Sequence, residues 1–230
     1  MSEASGSRCA GCASAPSCSP KKIRKAKMTR VFLSALDEAS KAIAKVRDLD
    51  IILSKISTYK PELSIEERIA KIKETRESQL QAARRLTIAF RKAPIPRIRE
   101  KDLSIAKLLK RLNNTTSLFI AAINGRLPMV LKDSSNVRDL HLLRMDCRRL
   151  RYLAELFRSK TTTKLLSRLR SWQSQLGFIH DSDLTIEYLR NLGDAQEMQP
   201  VLNDLVSQRM QSYEKLSSIA RQISAVRLVP

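Results

Sequence analysis

Apolar residues recur at intervals of three and four along nearly the whole chain, which is the spacing of one face of an α-helix. The alternation of apolar and polar residues that is typical of a half-buried strand is absent. The sequence therefore predicts an all-α protein. The predicted helices span about residues 21–57, 64–92, 102–124, 137–159, 164–191 and 201–226.

Prolines, glycines and a run of threonines separate the predicted helices. Pro61 ends the first, and Ser64 begins the second as a plausible cap, with Glu67 three residues later. Pro94 and Pro96 interrupt the chain before the third helix. The other predicted breaks are a helix end at Gly125 and Pro128, a polar turn at Thr161–Thr163, a kink or break near Gly177, and a last turn at Gly193 and Pro200.

The predicted helix over residues 137–159 has two faces of different chemistry. At 100° per residue, its basic side chains fall within a stripe roughly 100° wide. We call this stripe the cationic face, and it consists of His141, Arg144, Arg148, Arg151 and Arg158. The opposite, apolar face consists of Leu143, Cys147, Leu150, Leu153, Ala154 and Phe157. The apolar face can pack into a helical bundle while the cationic face meets an acidic ligand.

A face of this kind suits a linear chain of phosphates. Arginine binds phosphate oxygens through a planar fork and stays charged at cellular pH, and histidine donates one or two further hydrogen bonds. Cations that advance by one helical turn, about 6 Å per step, meet successive groups of a linear polyanion. The alternative is a charged face that is only solvated.

A short segment of the chain repeats at an offset of 133 residues. K-V-R-D-L-D-I-I-L over residues 45–53 aligns with F-I-H-D-S-D-L-T-I over residues 178–186. The alignment pairs Arg47 with His180, Asp48 with Asp181 and Asp50 with Asp183. We expect these two segments to superpose by a pseudo-twofold rotation.

The composition favours a polyanionic partner. The chain has 43 basic and 23 acidic residues among 230, a formal net charge of +20, so nucleic acid, polyphosphate and an anionic membrane surface are all compatible with it. Four tyrosines, five phenylalanines and one tryptophan leave few candidates for stacking on bases. No apolar run approaches the roughly 18 residues of a membrane span.

Residues 1–20 differ from the rest in being rich in Ser, Ala, Gly and Cys, and we expect a disordered tail there. The tail lacks the charged start and apolar core of a secretory signal, which indicates an intracellular protein. The tail could supply three ligands of a zinc site, namely Cys9, Cys12 and Cys18, but a fourth ligand is missing nearby. We therefore expect no metal and no cofactor.

Two motifs together resemble a known family. The run H-L-L-R-M-D-C-R-R-L-R-Y from His141 to Tyr152 is followed by L-G-F-I-H-D-S-D-L from Leu176 to Leu184, and this order is similar to that of the CHAD domain, the conserved-histidine α-helical domain. The resemblance implies two tandem, four-helix-bundle-like repeats with a basic channel between them that binds inorganic polyphosphate, and it implies no catalytic activity. The expected domain spans residues 21–230, with repeat one over about 21–130 and repeat two over about 131–230. The location expected for such a protein is the cytoplasm, in association with polyphosphate granules.

The first repeat departs from the family pattern at its start. Lys21 and Arg24 stand where the family shows H-x-x-R, and no R-R-x-R follows. Arg24 precedes Asp48 by 24 positions, whereas Arg144 precedes Asp181 by 37. The opening hairpin of this repeat is therefore shortened, replaced or fused into one long helix.

The residues expected to contact polyphosphate come from both repeats. His141, Arg144, Arg148 and Arg151 are the first candidates, followed by Arg84, Lys73, Arg76 and His180. Because a carboxylate beside a phosphate is repulsive, we expect Asp48, Asp50, Asp181 and Asp183 to hold these cations in place. Arg76 lies in the middle of an apolar stripe, where it can pair with one of these aspartates, contact the ligand, or do both.

Two other functions are compatible with parts of the sequence. A metal-dependent phosphohydrolase could use the His180–Asp181 dipeptide, but that chemistry needs several converging ligands and the chain has two histidines. The E-x-E-x-K signature of the triphosphatase domain that is often fused to CHAD is also absent. Nucleic-acid binding shares the charge requirement and is the main alternative.

Overall fold

The computed structural model describes residues 27–59, 63–96, 104–156, 160–192 and 198–224, and all regular structure within these ranges is helical. This confirms the predicted fold class. The helices are α1 (Lys27–Ile56), α2 (Leu63–Lys92), α3 (Ile105–Lys132), α4 (Val137–Glu155), α5 (Lys160–Asn191) and α6 (Gln199–Ser224). The predicted tail with Cys9, Cys12 and Cys18 lies outside the described residues, as do Lys21, Arg24, Pro61, Phe157, Arg158 and Gly193. None of the helices described is both long and apolar enough to cross a membrane.

The predicted end of the third helix at Gly125 and Pro128 is wrong, because α3 continues through both residues to Lys132. A proline inside a helix removes one backbone hydrogen bond, but here the last turns of α3 bury Leu127 and Val130 in the core. Tyr213 of α6 donates a hydrogen bond from its hydroxyl to the Val130 carbonyl oxygen over 2.7 Å. Tertiary packing therefore overrides the two local breakers.

The predicted turn at Thr161–Thr163 is also wrong, because these residues form the first turn of α5. The helix is continuous through Gly177, so the break that the sequence allowed there is absent, and the alternative of a kink stays a prediction. Threonine is compatible with a helix start, where backbone N–H groups lack helical partners. The helix α4 ends at Glu155, short of the predicted end at residue 159.

The chain divides between Arg111 and Leu112 into two compact units, which we call the N-terminal and C-terminal units. In the N-terminal unit, α1 packs against α2. Its small core joins Ala42 and Val46 of α1 to Ala83 of α2. Near the other end of the pair, the rings of Phe32 and Phe90 lie 5.2 Å apart.

The C-terminal unit has a larger core to which four helices contribute, the described part of α3 after Arg111 together with α4, α5 and α6. Trp172 of α5 lies within it. The other buried members are Ile123, Leu127, Val130, Leu140, Leu143, Cys147, Leu150, Leu169, Leu176, Ile179, Leu216 and Ala220. This core holds α4 against α5, so it fixes the position of both sequence motifs.

The offset of 133 residues also relates two ion pairs. In the N-terminal unit Arg76 Nε donates to Asp50 Oδ1 at 2.5 Å, and in the C-terminal unit Arg209 Nε donates to Asp183 Oδ1. Asp50 and Asp183 are separated by the same 133 positions as Arg76 and Arg209. The spacing of 133 residues therefore relates a contact within the helix pair α1–α2 to a contact within the pair α5–α6. Superposition of the two segments by a pseudo-twofold rotation, and a repeat boundary near residue 130, stay predictions.

The two ion pairs differ in burial. The side chains of Arg76 and Asp50 are 33% and 48% exposed, whereas those of Arg209 and Asp183 are 10% and 16% exposed. Arg209 also donates from Nη2 to the Ser134 carbonyl oxygen at 2.9 Å. The second pair therefore ties the turn before α4 to α5 and α6.

We expect Arg209→Met to destabilise the protein far more than Arg76→Met. Removing Arg209 leaves a nearly buried carboxylate and the Ser134 carbonyl without their donor, which costs roughly 3 to 5 kcal/mol. Chemical denaturation followed by circular dichroism measures both variants. Equal losses of stability would contradict the structural role assigned to Arg209.

Candidate anion-binding site

The start of α4 is fixed by local hydrogen bonds. The side chain of Asn136 accepts a hydrogen bond from the Asp139 backbone N–H at 3.1 Å, which caps the helix. Asp133 accepts hydrogen bonds from both the backbone N–H and the hydroxyl of Ser135. Together with the bond from Arg209 to Ser134, these contacts set the direction in which α4 leaves the turn.

The apolar face of α4 is buried as the sequence predicts, except for Phe157, which is outside the described residues. Leu143, Cys147 and Leu150 are fully buried, and burial raises the pKa of the Cys147 thiol. Arg144, Arg148 and Arg151 on the cationic face remain partly exposed. The helix is therefore held by its apolar face, and Arg144, Arg148 and Arg151 are not among the buried residues of the core.

The two histidines of the chain meet at the contact between α4 and α5. The ring centroids of His141 and His180 are 5.4 Å apart, and His180 Nδ1 lies 3.2 Å from Asp181 Oδ1. Burial lowers the pKa of His141, and the neighbouring His180 and Arg144 lower it further. The two sequence motifs are thus joined in space by imidazoles from separate helices.

Tyr152 orients two arginines of the cationic face. Arg148 Nε donates a hydrogen bond to the Tyr152 hydroxyl at 3.1 Å. The guanidinium carbons of Arg148 and Arg151 lie 5.7 and 4.8 Å from the centre of the Tyr152 ring, within range of a cation–π interaction. Sequence reasoning included Tyr152 in the motif but gave it no role, although its spacing of four residues from Arg148 was a usable signal.

Sequence reasoning also missed a carboxylate and a further arginine. Glu155 lies on the same side of α4 as the cationic face, and its Oε1 is 3.2 Å from Arg151 Nη1. The same oxygen is 3.8 Å from Nη2 of Arg170 on α5. Arg170 therefore adds a positive charge from the second helix, and Glu155 neutralises part of the local excess. The spacing of four residues between Arg151 and Glu155 pointed to this contact.

The adjacent residues Arg148 and Arg149 have different surroundings. Arg149 is 3.5 Å from Asp146 Oδ1, and Arg126 of α3 pairs with the other oxygen of this buried carboxylate. The guanidinium of Arg149 also lies 5.8 Å from the centre of the Phe119 ring. Burial raises the pKa of Asp146, and the two arginines oppose that effect. Arg149 therefore supports the packing of α3 on α4 rather than the cationic face.

The remaining predicted contact residues lie in the N-terminal unit. Lys73 and Arg84 are exposed on α2, and Arg76 is partly exposed. The ion pair with Asp50 raises the pKa of Arg76, so the sequence alternative in which Arg76 pairs with an aspartate is observed. Asp50 thus holds one of the candidate contact residues in place, whereas Asp183 holds Arg209, which is not among the candidates. Among the described residues, His, Cys, Asp and Glu side chains do not gather in threes or more at a place that could hold a metal ion.

The fold and the site define an all-α protein in which α4, held by its apolar face, presents partly exposed arginines beside a histidine pair that it forms with α5. The family model described as the CHAD domain matches the chain over residues 21–190 and 114–222. The chain therefore belongs to the CHAD family, for which polyphosphate binding is a general property. No curated protein and no solved structure matches the chain.

The histidine pair gives the protein a defined response to pH. Because the pKa of His141 is lowered in the folded protein, the unfolded chain binds the proton more tightly. The stability gained from neutral His141 is complete above the unfolded pKa of about 6.5, and it is lost as the pH falls through the folded pKa.

We expect His180→Gln to raise the pKa of His141 while leaving it below the ordinary value. The substitution removes one positive neighbour but does not change the burial that is the larger cause. Proton NMR follows the titration directly, since the chain has two histidines and the variant retains one. An unchanged or lower pKa for His141 would show that His180 does not act on it electrostatically.

Proposed function

We propose that the protein binds inorganic polyphosphate without catalysing its cleavage, through the cationic face of α4 and His180 of α5. The observation that carries the proposal is the division of α4 into a buried apolar face and a partly exposed face of arginines. Membership of the CHAD family supports the choice of polyphosphate among polyanions.

The chemistry of the candidate residues matches a chain of phosphates. Arg144, Arg148 and Arg151 occupy successive turns of one helix and carry planar donors that stay charged at cellular pH. Tyr152 restricts Arg148 and Arg151 before a ligand arrives, which lowers the entropy lost on binding. We assign direct contact to His141, Arg144, Arg148, Arg151 and His180, and further contact to Lys73, Arg76 and Arg84.

The carboxylates have a positioning role in this proposal. Asp181 lies beside His180, and Asp183 and Asp50 each hold an arginine. Asp48 is assigned the same role by its alignment with Asp181. Contact of the polyanion with these residues is opposed by charge repulsion. A channel between the two repeats, a cytoplasmic location and association with polyphosphate granules stay predictions.

We expect Arg148→Glu to weaken the binding of long polyphosphate about thirtyfold, or about 2 kcal/mol, because one contact is lost and a repulsion is added. Circular dichroism should be unchanged, since the apolar face of α4 is untouched. The matched control is Arg221→Glu, which makes the same change of charge at an exposed position on α6 beside Leu131 and Tyr213. Isothermal titration calorimetry measures both affinities. Equal affinities of the two variants would show that the cationic face does not bind polyphosphate.

We expect affinity to rise steeply with the length of the ligand. Each added phosphate meets another cation without a new cost of association, so long polyphosphate should bind about a hundredfold more tightly than triphosphate, a gain of roughly 3 kcal/mol. Its affinity should fall with added salt as counterions are released. Competition on immobilised protein measures this series, with duplex DNA and RNA as further competitors. If duplex DNA displaces long polyphosphate at equal phosphate concentration, nucleic-acid binding replaces the proposed function.

A further inference from the structure

Gly177 lies inside α5 at a position where the fold does not require glycine. The helix is continuous through this residue, and a glycine inside a helix is less stable than alanine because it loses more backbone freedom on folding. Apart from its chain neighbours and the backbone of its own helix, a Cβ atom added at Gly177 would meet no atom of the described residues within 4 Å. Neither the backbone conformation nor a close neighbour in the part of the chain that the structure describes therefore accounts for the missing side chain.

The register of α4 and α5 places Gly177 beside the cationic face. His141 meets His180 at one end of the contact, with ring centroids 5.4 Å apart, and Glu155 approaches Arg170 to 3.8 Å at the other. The helices are thus antiparallel, so the residue three positions before His180 on α5 lies level with the residue three positions after His141 on α4. Gly177 consequently falls level with Arg144. On α5 it shares one face with His180 and Gln173, which are three and four residues away.

Three buried donors of α4 and α5 have no hydrogen-bond partner among the described residues. They are Nε of Arg151, Nε2 of Gln173 and Nε1 of Trp172, and of these Trp172 belongs to the core. An unpartnered buried donor is costly. Arg151 and Gln173 would each gain an acceptor, after a side-chain rotation, if a ligand rich in oxygen atoms lay along the contact between the two helices.

We propose that Gly177 forms the floor of a phosphate-binding groove between α4 and α5. Its lack of a side chain lets one phosphate of the polyanion approach the α5 backbone while Arg144 binds that phosphate from α4. Gln173 and Arg170 extend the same groove toward Arg148 and Arg151. This inference rests on the proposed function and assigns to α5 a wall of the site that the charge pattern of α4 alone does not define.

The test compares binding and stability in Gly177→Leu. Leucine is a good helix former, and among the described residues no atom outside the local backbone lies within 4 Å of its Cβ position, so the melting temperature should equal or exceed that of the unmodified protein. Its side chain fills the groove, so the affinity for long polyphosphate should fall about tenfold or more. Gly177→Ala should likewise keep or raise the melting temperature while it weakens binding, with a smaller loss of affinity. Circular dichroism and isothermal titration calorimetry provide the two readouts.

Gly125→Leu is the matched control, because Gly125 lies inside α3 and a Cβ there also meets nothing within 4 Å. It should retain the unmodified affinity. If Gly177→Leu is folded and binds long polyphosphate as tightly as this control, the groove floor is overturned while the proposed function stands. If Gly177→Leu fails to fold, unchanged affinity of Gly177→Ala overturns the inference instead. If the unmodified protein does not bind polyphosphate, the proposed function fails, and the groove fails with it.

Discussion

The burial of the apolar face of α4 in the core of the C-terminal unit is the constraint on which the rest of the site depends. Leu143, Cys147 and Leu150 are completely removed from solvent, and each fully buried leucine contributes about 1.5 to 3 kcal/mol relative to exposure. Turning the helix about its axis would expose these residues and bury arginines in their place. The core therefore determines the side of α4 from which the basic side chains project. Interactions among the charges need only adjust the orientation of each side chain.

The charges themselves are only partly compensated within the C-terminal unit. Glu155 neutralises part of the excess near Arg151 and Arg170, and Asp181 lies beside His180. At the other end of the contact, burial lowers the pKa of His141, and the neighbouring His180 and Arg144 lower it further. A concentration of like charge of this kind destabilises a fold and favours an anionic ligand. In the proposed function, the same arrangement that costs stability supplies the driving force for association, a balance found at many binding sites.

The sequence predicted the helices and the two faces of α4 because both follow from a periodicity that the core enforces. It failed at Gly125, Pro128 and Thr161–Thr163, where local signals for a break compete with distant packing that a sequence does not display. At Gly125 and Pro128 the helix continues because Val130 is buried and its carbonyl oxygen accepts a hydrogen bond from Tyr213.

The sequence predicted which face of α4 carries the candidate residues, but it did not predict the contacts that their side chains make. The repeat placed Asp50 and Asp183 at matching positions, and the fold then revealed that each pairs with an arginine 26 residues later. Tyr152 and Glu155 were overlooked because their roles depend on side-chain directions. Spacing of four residues permits such contacts on a helix, but it does not say which of them form.

The two matching ion pairs differ from the apolar positions around them in how readily a substitution is tolerated. A charged pair is difficult to lose one residue at a time, since the first substitution leaves its partner without a counter-charge in a partly buried place. Apolar positions drift more freely, provided that volume and pattern are kept. Asp50–Arg76 and Asp183–Arg209 can therefore outlast most of the surrounding similarity. The equal spacing of the two pairs is therefore a feature by which the predicted repeat can be recognised even where the apolar positions of α1–α2 and α5–α6 differ.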